Sequence, residues 1–142
     1  MNIRKIWITD NDPTTILVRL IVGAVFASEG IQKFLFNEKL GAGRFESIGL
    51  PYPHFFGPFV GAFEIVCGVL VLLGFFTRLS VVPLIVIMLV AIITTKAKII
   101  SDSGFWEMMH GSRTDWSMLL GSTFLLIKGG GKWSIDAKIS RT

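Results

Sequence analysis

A single carboxylate, Glu64, lies in the middle of an otherwise apolar run from Phe59 to Gly74. The run has the composition of a membrane-spanning helix, where a charged side chain at the centre costs about 2.5 kcal/mol or more. Such a residue is tolerated when it faces other polar groups, and there it can exchange protons or hold a polar ligand. Glu64 is therefore the first candidate functional residue. The alternative is that it only forms a structural salt bridge.

Other ionisable residues lie at the ends of apolar runs, where they can join Glu64. Glu29 and Lys33 stand four residues apart with the acid first, which favours an ion pair along one helix. A small acid–base set precedes the last apolar run. We predict that the catalytic residues are Glu64, His110, Arg113 and Asp115, and that the ligand-binding residues are Glu29, Lys33, Glu64, Lys96 and Arg113.

Several kinds of site are not supported by the sequence. Two histidines, one cysteine (Cys67) and no Cys-x-x-Cys or His-x-x-x-His spacing do not supply a zinc or haem site from one chain, so no metal is expected. Gly129-Gly-Gly131 follows an apolar helix rather than a strand, so it is not a dinucleotide fingerprint. No intrinsic cofactor is evident. The basic residues form no stripe with interleaved aromatic residues, so no nucleic acid partner is expected.

The composition indicates that a lipid bilayer surrounds these residues. Hydrophobic residues make up 51% of the chain, charged residues 17%, and the mean hydropathy is +0.64, whereas soluble domains carry about 25% charged residues. At about 20 residues per span, 142 residues accommodate one domain with four membrane helices. We predict an all-α, integral membrane four-helix bundle with spans at about 14–36, 55–76, 79–98 and 112–128, joined by loops at 37–54 and 99–111.

The first two spans each carry a face of small or polar residues, and small residues allow membrane helices to pack closely. We expect both faces to contact protein, and we expect the apolar side of loop 37–54 to pack over the bundle mouth as a lid. The two faces are Arg19, Gly23, Phe26, Gly30 and Lys33 on the first span, and Gly57, Gly61, Glu64 and Gly68 on the second.

The orientation follows from the lysine and arginine residues outside the spans. If the N-terminus is cytoplasmic, seven of them lie on the cytoplasmic side and five on the other, which favours cytoplasmic termini and places both long loops on the non-cytoplasmic side. The seven are Arg4, Lys5, Arg78, Lys128, Lys132, Lys138 and Arg141, and the five are Lys39, Arg44, Lys96, Lys98 and Arg113.

An ordered set of short motifs carries a family resemblance over about residues 14–136. The set consists of Arg19-Leu-Ile-Val-Gly23, Ser28-Glu-Gly-Ile-Gln-Lys-Phe34, Gly43-Arg-Phe-Glu-Ser-Ile-Gly-Leu-Pro51, Gly61-Ala-Phe-Glu64, Gly68, Leu73-Gly-Phe-Phe-Thr-Arg78, Thr95-Lys96, Gly104-Phe-Trp106, residues 110–121 and Gly129-Gly-Gly-Lys-Trp-Ser-Ile-Asp136. With these motifs the chain resembles the DoxX family of small four-helix bacterial membrane proteins.

The resemblance implies a quinone-linked redox subunit in the bacterial cytoplasmic (inner) membrane, acting with a soluble or membrane redox partner. Some relatives look like subunits that pass electrons from thiosulfate to quinone, and others are linked to quinone or catechol stress. The alternative is a non-enzymatic scaffold or assembly partner in a redox or stress-response complex. A small-solute transporter is less favoured, since the chain has no inverted repeats. Whether the chain is catalytic, and whether it forms a homo-oligomer, stays open at this stage.

Overall fold

The computed structural model describes residues 9–140, and all regular secondary structure in that range is helical. The predicted all-α class is therefore confirmed. The helices are α1 (Thr15–Leu35), α2 (Ala42–Ser47), α3 (Pro53–Leu73), α4 (Thr77–Ser103), α5 (Phe105–Gly111), α6 (Arg113–Lys128) and α7 (Ile135–Ile139).

Three of these helices, α1, α3 and α4, are long and apolar enough to cross a membrane. They occupy the regions where the first three spans are predicted, at about 14–36, 55–76 and 79–98. Helix α6 has 16 residues, which gives it a length of about 24 Å against a hydrocarbon core of about 30 Å. Its length and composition alone do not mark it as a span.

The four longest helices pack around one apolar core. Helix α1 packs most extensively against α3, α4 packs against α6, and contacts of α3 with α4 and of α1 with α6 join the two pairs. All four helices contribute buried side chains to this core. The buried core residues are Val22, Phe26, Cys67, Val71, Val81, Leu84, Met88, Met118 and Leu125.

Glycines bring α1 and α3 into backbone contact. A Cβ atom added to Gly30 would lie 2.6 Å from the carbonyl oxygen of Gly61, and one added to Gly68 would lie 2.7 Å from the backbone nitrogen of Ala27. Because no side chain larger than hydrogen fits at these crossings, the helices approach more closely than larger residues allow. The prediction that the glycine faces of the first two spans contact protein is confirmed.

The connections between the long helices are more helical than the sequence predicts. Within 37–54, α2 forms a short turn of helix and α3 already begins at Pro53. The predicted loop 99–111 is wrong as an irregular segment, because α4 continues to Ser103 and α5 fills Phe105–Gly111. After Pro83, near its start, α4 contains no glycine or proline before Gly104, whose φ of +85° ends the helix.

The C-terminal segment is hydrogen-bonded to α1 and to the start of α4. Arg19, which is 4% exposed, donates from Nη1 to the carbonyl oxygen of Gly130 at 2.7 Å and from Nη2 to that of Trp133 at 2.8 Å. These bonds hold the glycine-rich turn after α6 against α1. They give carbonyl acceptors to the two terminal nitrogens of a buried guanidinium, as a charged group in an apolar environment requires, whereas its Nε has no hydrogen-bond partner in residues 9–140.

Asp136 completes this arrangement at the start of α4. Its two carboxylate oxygens accept hydrogen bonds from the backbone N–H groups of Phe76, at 2.8 Å, and Thr77, at 2.9 Å. The carboxylate therefore satisfies N–H groups that have no partner within the helix, and it lies at the positive end of the helix dipole. Nearby, Lys128 at the end of α6 pairs with Asp10 at 2.6 Å, so the start of α1 and the end of α6 lie together.

Candidate functional site

A cavity of about 660 Å³ lies between the α1–α3 and α4–α6 pairs, beneath α2 and the segment after it. Its lining is mainly aliphatic and aromatic, with a small set of polar side chains. This is the usual character of a small-molecule site, and the volume lies within the common range of about 300–1,000 Å³. The polar lining residues are Glu29, Lys33, Arg44, Glu64, Thr94, Thr95, Thr114 and Asp115.

The first ion pair of the cavity joins α1 to α3. Lys33 Nζ lies 2.7 Å from Glu64 Oε2, and Glu64 is 3% exposed. The two side chains meet because Gly61, one turn before Glu64, brings the helices together: a Cβ atom there would lie 3.3 Å from Lys33 Cβ. The predicted partnership of Lys33 with Glu29 is wrong, since the lysine pairs across the helices.

The contact between Lys33 and Glu64 is a charge contact rather than an aligned hydrogen bond. Glu64 Oε2 receives no hydrogen bond of acceptable geometry, although it is buried. A carboxylate oxygen accepts hydrogen bonds in more than one direction. Glu64 therefore retains an acceptor site, on a side chain that lines the cavity.

The second ion pair joins α4 to α6. Lys96 is 9% exposed, and its Nζ lies 2.9 Å from Asp115 Oδ2 and donates to the carbonyl oxygen of Gly111 at 2.9 Å. Asp115 lines the cavity and Lys96 does not. Lys96 therefore lies behind Asp115, where it holds the carboxylate and the junction between α5 and α6.

Two further charged residues line the cavity from its rim. Glu29 on α1 and Arg44 on α2 are exposed and line the cavity, and neither forms an ion pair with another residue in 9–140. Arg44 is not among the predicted site residues. The predicted lid could have pointed to Arg44, because the residue belongs to that segment. Phe45 and Ile48 of the segment also line the cavity, as expected of a loop that packs back over the helices.

Two predicted catalytic residues do not reach the cavity. His110 on α5 and Arg113 at the start of α6 are exposed, and neither lines it. The sequence places them close to Asp115, but the junction of α5 and α6 directs only the aspartate inward. The structure thus brings Glu29, Lys33, Glu64 and Asp115 to one cavity. Within residues 9–140, no three histidine, cysteine, aspartate or glutamate side chains are grouped as a metal site would need.

One side of the cavity reaches the outer surface of the apolar helices. Phe56 and Phe59 of α3 and Val86 and Val90 of α4 line the cavity and are also 37%, 46%, 54% and 45% exposed. These residues lie on helices long and apolar enough to span a bilayer. The apolar outer surface of these helices is therefore continuous with the lining that surrounds the buried charges.

The apolar helices surround a mainly apolar cavity that contains a few charged side chains. The molecule is therefore an all-helical membrane protein with an internal polar site. Its particular family follows from the sequence match. The chain belongs to the DoxX family, because the family model described as DoxX matches residues 14–97.

Two curated relatives are similar over most of their length. The chain is 50% identical over 138 residues to an uncharacterized membrane protein of Mycobacterium tuberculosis, covering 93% of this chain and 85% of that protein. It is 34% identical over 122 residues to the Bacillus subtilis protein named "Putative oxidoreductase CatD", covering 86% of this chain and 84% of that protein. No solved structure gives a significant match.

Proposed function

We propose that this protein is a quinone-linked redox subunit of the membrane, which binds a quinone in the cavity and delivers protons to it while a partner supplies electrons. One observation carries the proposal: a buried lysine–glutamate pair, Lys33 and Glu64, lines a mainly apolar cavity whose edge lies on helix surfaces exposed to lipid. The name of the Bacillus subtilis relative supports an oxidoreductase role.

The cavity suits the two chemical parts of a lipid quinone. The apolar lining from Phe56, Phe59 and Val86 accommodates an aromatic ring and the start of an isoprenoid tail. The Lys33 ammonium group donates hydrogen bonds, which a quinone oxygen accepts. The ammonium group has three N–H donors, so a quinone oxygen accepts one of them while Lys33 stays beside Glu64.

The reaction requires two electrons and two protons for each quinone reduced to a quinol. The electrons come from a soluble or membrane redox partner. The protons pass through the cavity carboxyl groups: Glu64, when protonated, donates to a ring oxygen while Lys33 balances the carboxylate that results. The pair thereby passes from a net charge of +1 to neutral as its proton offsets the charge of an electron on the ring, and a proton taken up from water then restores Glu64 for the second transfer.

The proposed topology has four spans, with α6 as the fourth and both termini in the cytoplasm of a bacterial inner membrane. The contact of Asp10 with Lys128 supports it, because the chain returns after α6 to the end from which α1 starts. The distribution of lysine and arginine supports the orientation. Reporter fusions at each terminus and within residues 41–49 test this topology. Cytoplasmic signals at both termini are expected, and a periplasmic C-terminus would contradict four spans.

A non-enzymatic scaffold is the second candidate, and one observation favours it. The lysines of the cavity region are already paired, Lys33 with Glu64 and Lys96 with Asp115, which is all that structural charge pairs require. A scaffold would use these pairs to fix helix positions, and its affinity would be for another protein. The two proposals differ in whether the cavity holds a quinone.

The deciding experiment compares the wild-type protein with Glu64→Gln and with the control Glu107→Gln, an exposed carboxylate on α5 outside the cavity. Each protein is purified in mild detergent from quinone-containing membranes, and native mass spectrometry and ultraviolet absorption measure the quinone retained. We expect retention by the wild type and the control and loss from Glu64→Gln, which should melt at a lower temperature because Lys33 loses its partner but should still be folded at the temperature of the assay. Equal retention by Glu64→Gln would refute the site, and unfolding of Glu64→Gln with no quinone in any sample would favour the scaffold.

A further inference from the structure

A second cavity, of about 580 Å³, lies where the segment after α6 packs against the end of α3. The side chains that line it include two lysines, Lys132 and Lys138, and the apolar residues Leu73, Trp133 and Ile135. No carboxylate side chain of residues 9–140 lines it. Leu73 is the last residue of an apolar helix that is long enough to cross a bilayer, so this basic cavity lies at a membrane boundary.

Hydrogen bonds to the rest of the protein hold the walls of the basic cavity in place. The carbonyl oxygen of Trp133 accepts from Arg19 Nη2 at 2.8 Å. The backbone N–H group of Asp136 donates to the carbonyl oxygen of Gly74 at 2.9 Å. These bonds attach the segment that carries both lysines to α1 and to the turn after α3. The fold itself therefore forms the basic cavity, and a ligand pays little for ordering the backbone there.

The acidic residues at this end of the described chain have partners elsewhere. Asp10 pairs with Lys128. Asp12 accepts hydrogen bonds from the backbone N–H and the hydroxyl group of Thr14, and the carboxylate of Asp136 caps α4. None of the three lines the basic cavity. Its lining therefore carries positive charge without a lining carboxylate from residues 9–140, which suits an anionic ligand.

An apolar stripe on the outer surface of α3 leads to the basic cavity. Val66, Val69 and Leu73 are exposed and stand three and four residues apart, so they share one side of the helix. From Val66 to Leu73 the stripe rises about 10 Å, and it ends at the basic cavity because Leu73 lines that cavity. The acyl chain of a lipid packs along such a stripe, whereas a soluble anion does not use it. The exposed Trp133 is of a residue type enriched at membrane boundaries.

We infer that the basic cavity binds the headgroup of an anionic phospholipid, whose acyl chain lies along the stripe on α3. The phosphate oxygens accept charge-assisted hydrogen bonds from Lys132 and Lys138, each of which has three N–H donors. A zwitterionic phospholipid binds less tightly, because the lysines repel the cationic group that it carries. This site is separate from the cavity between the helix pairs, and it does not depend on the proposed quinone chemistry.

The test measures lipid binding to the purified, delipidated protein in mild detergent by native mass spectrometry. The probes are dioleoyl phosphatidylglycerol, which is anionic, and dioleoyl phosphatidylcholine, which is zwitterionic. For the wild type we expect the anionic lipid to bind about tenfold or more tightly. Lys132→Gln and Lys138→Gln should each weaken phosphatidylglycerol binding about fivefold, and the double variant about 30-fold, the effect of one and of two cations near a membrane surface.

The matched control is Lys39→Gln/Lys98→Gln, which removes two exposed lysines outside the basic cavity and lowers the net charge by the same amount. It should leave phosphatidylglycerol binding unchanged. Thermal melts followed by circular dichroism show whether each variant is folded, and the single variants decide the test if the double variant unfolds. Equal affinities for the two lipids, or equal weakening by the control, would overturn the inference. Displacement of phosphatidylglycerol by excess glycerol 3-phosphate would also overturn it, because a soluble phosphate compound would then be the ligand.

Discussion

Replacing Lys33 with Met tests whether the Lys33–Glu64 contact is a buried ion pair in the folded protein. The side chains are 12% and 4% exposed, so the change leaves a carboxylate buried without its cation. Breaking such a pair from one side costs about 3–5 kcal/mol. We expect the lower end of this range, because the contact is not an aligned hydrogen bond.

The double variant Lys33→Met/Glu64→Leu supplies the diagnostic result. Apolar residues of similar volume replace a buried pair with little net change, so the double variant should return to within about 1 kcal/mol of the wild type. Reversible unfolding in mixed micelles with sodium dodecyl sulfate, followed by circular dichroism, measures the free energies. Lys39→Met is the control, because this lysine is exposed and forms no ion pair within residues 9–140, and it should stay within about 0.5 kcal/mol of the wild type. A Lys33→Met protein as stable as this control, or a double variant no more stable than Lys33→Met, would refute the reasoning.

Three other predictions concern stability measured by the same unfolding assay. Asp136→Ala should lower the free energy of unfolding by about 2 kcal/mol or more, because two backbone N–H groups lose a charged acceptor. An unchanged free energy of unfolding would contradict the capping role. Gly30→Ala should lower the free energy of unfolding by about 1–3 kcal/mol, since the new Cβ would lie 2.6 Å from the facing helix. Gly111→Ala is the control and should be nearly neutral, because a Cβ there would have no described atom of another residue within 4 Å beyond its chain neighbours and its own helix backbone. The hydrogen bond and charge of Lys128 lower the pKa of Asp10 below its ordinary 3.8. The pair therefore stabilises the fold above about pH 4 and loses this effect as the pH falls through the folded-state pKa. The stability of Asp10→Asn should be less sensitive to acid over that interval, and a pH profile identical to that of the wild type would contradict the ion pair.

The helices themselves were predictable because their signals are local. Apolar runs bounded by glycine, proline and charged residues place α1, α3 and the start of α4. The glycine faces of the first two spans were also readable, because residues three and four positions apart share one side of a helix. The same reasoning identified Glu64 as a buried carboxylate, since a charge within an apolar helix requires polar surroundings.

The partners of these residues were not predictable in the same way. Sequence spacing identifies neighbours along one helix, so it predicted Glu29 as the ion-pair partner of Lys33. The packing of α1 against α3 instead places Glu64 beside Lys33. Adjacency in sequence likewise grouped His110 and Arg113 with Asp115, although the junction of α5 and α6 leaves both exposed.

Arg44 and Asp136 show the same limit. Arg44 reaches the cavity only because the segment after α1 folds back, and Asp136 reaches α4 from 59 or 60 residues away along the chain. The apolar side of the loop predicts that this segment folds back, but which of its side chains lines the cavity, and which N–H groups Asp136 caps, depends on the whole arrangement of helices.

The bonds from Arg19 to the C-terminal segment bear on how the chain matures during synthesis. The acceptors of its guanidinium lie 111 and 114 residues further along the sequence, so α1 enters the bilayer long before they are translated. Until then the arginine relies on water or lipid headgroups, which draw it toward the membrane surface. The segment after α6 therefore covers this charge late in synthesis, and a chain truncated before Gly130 would present it to the proteases that survey newly inserted proteins.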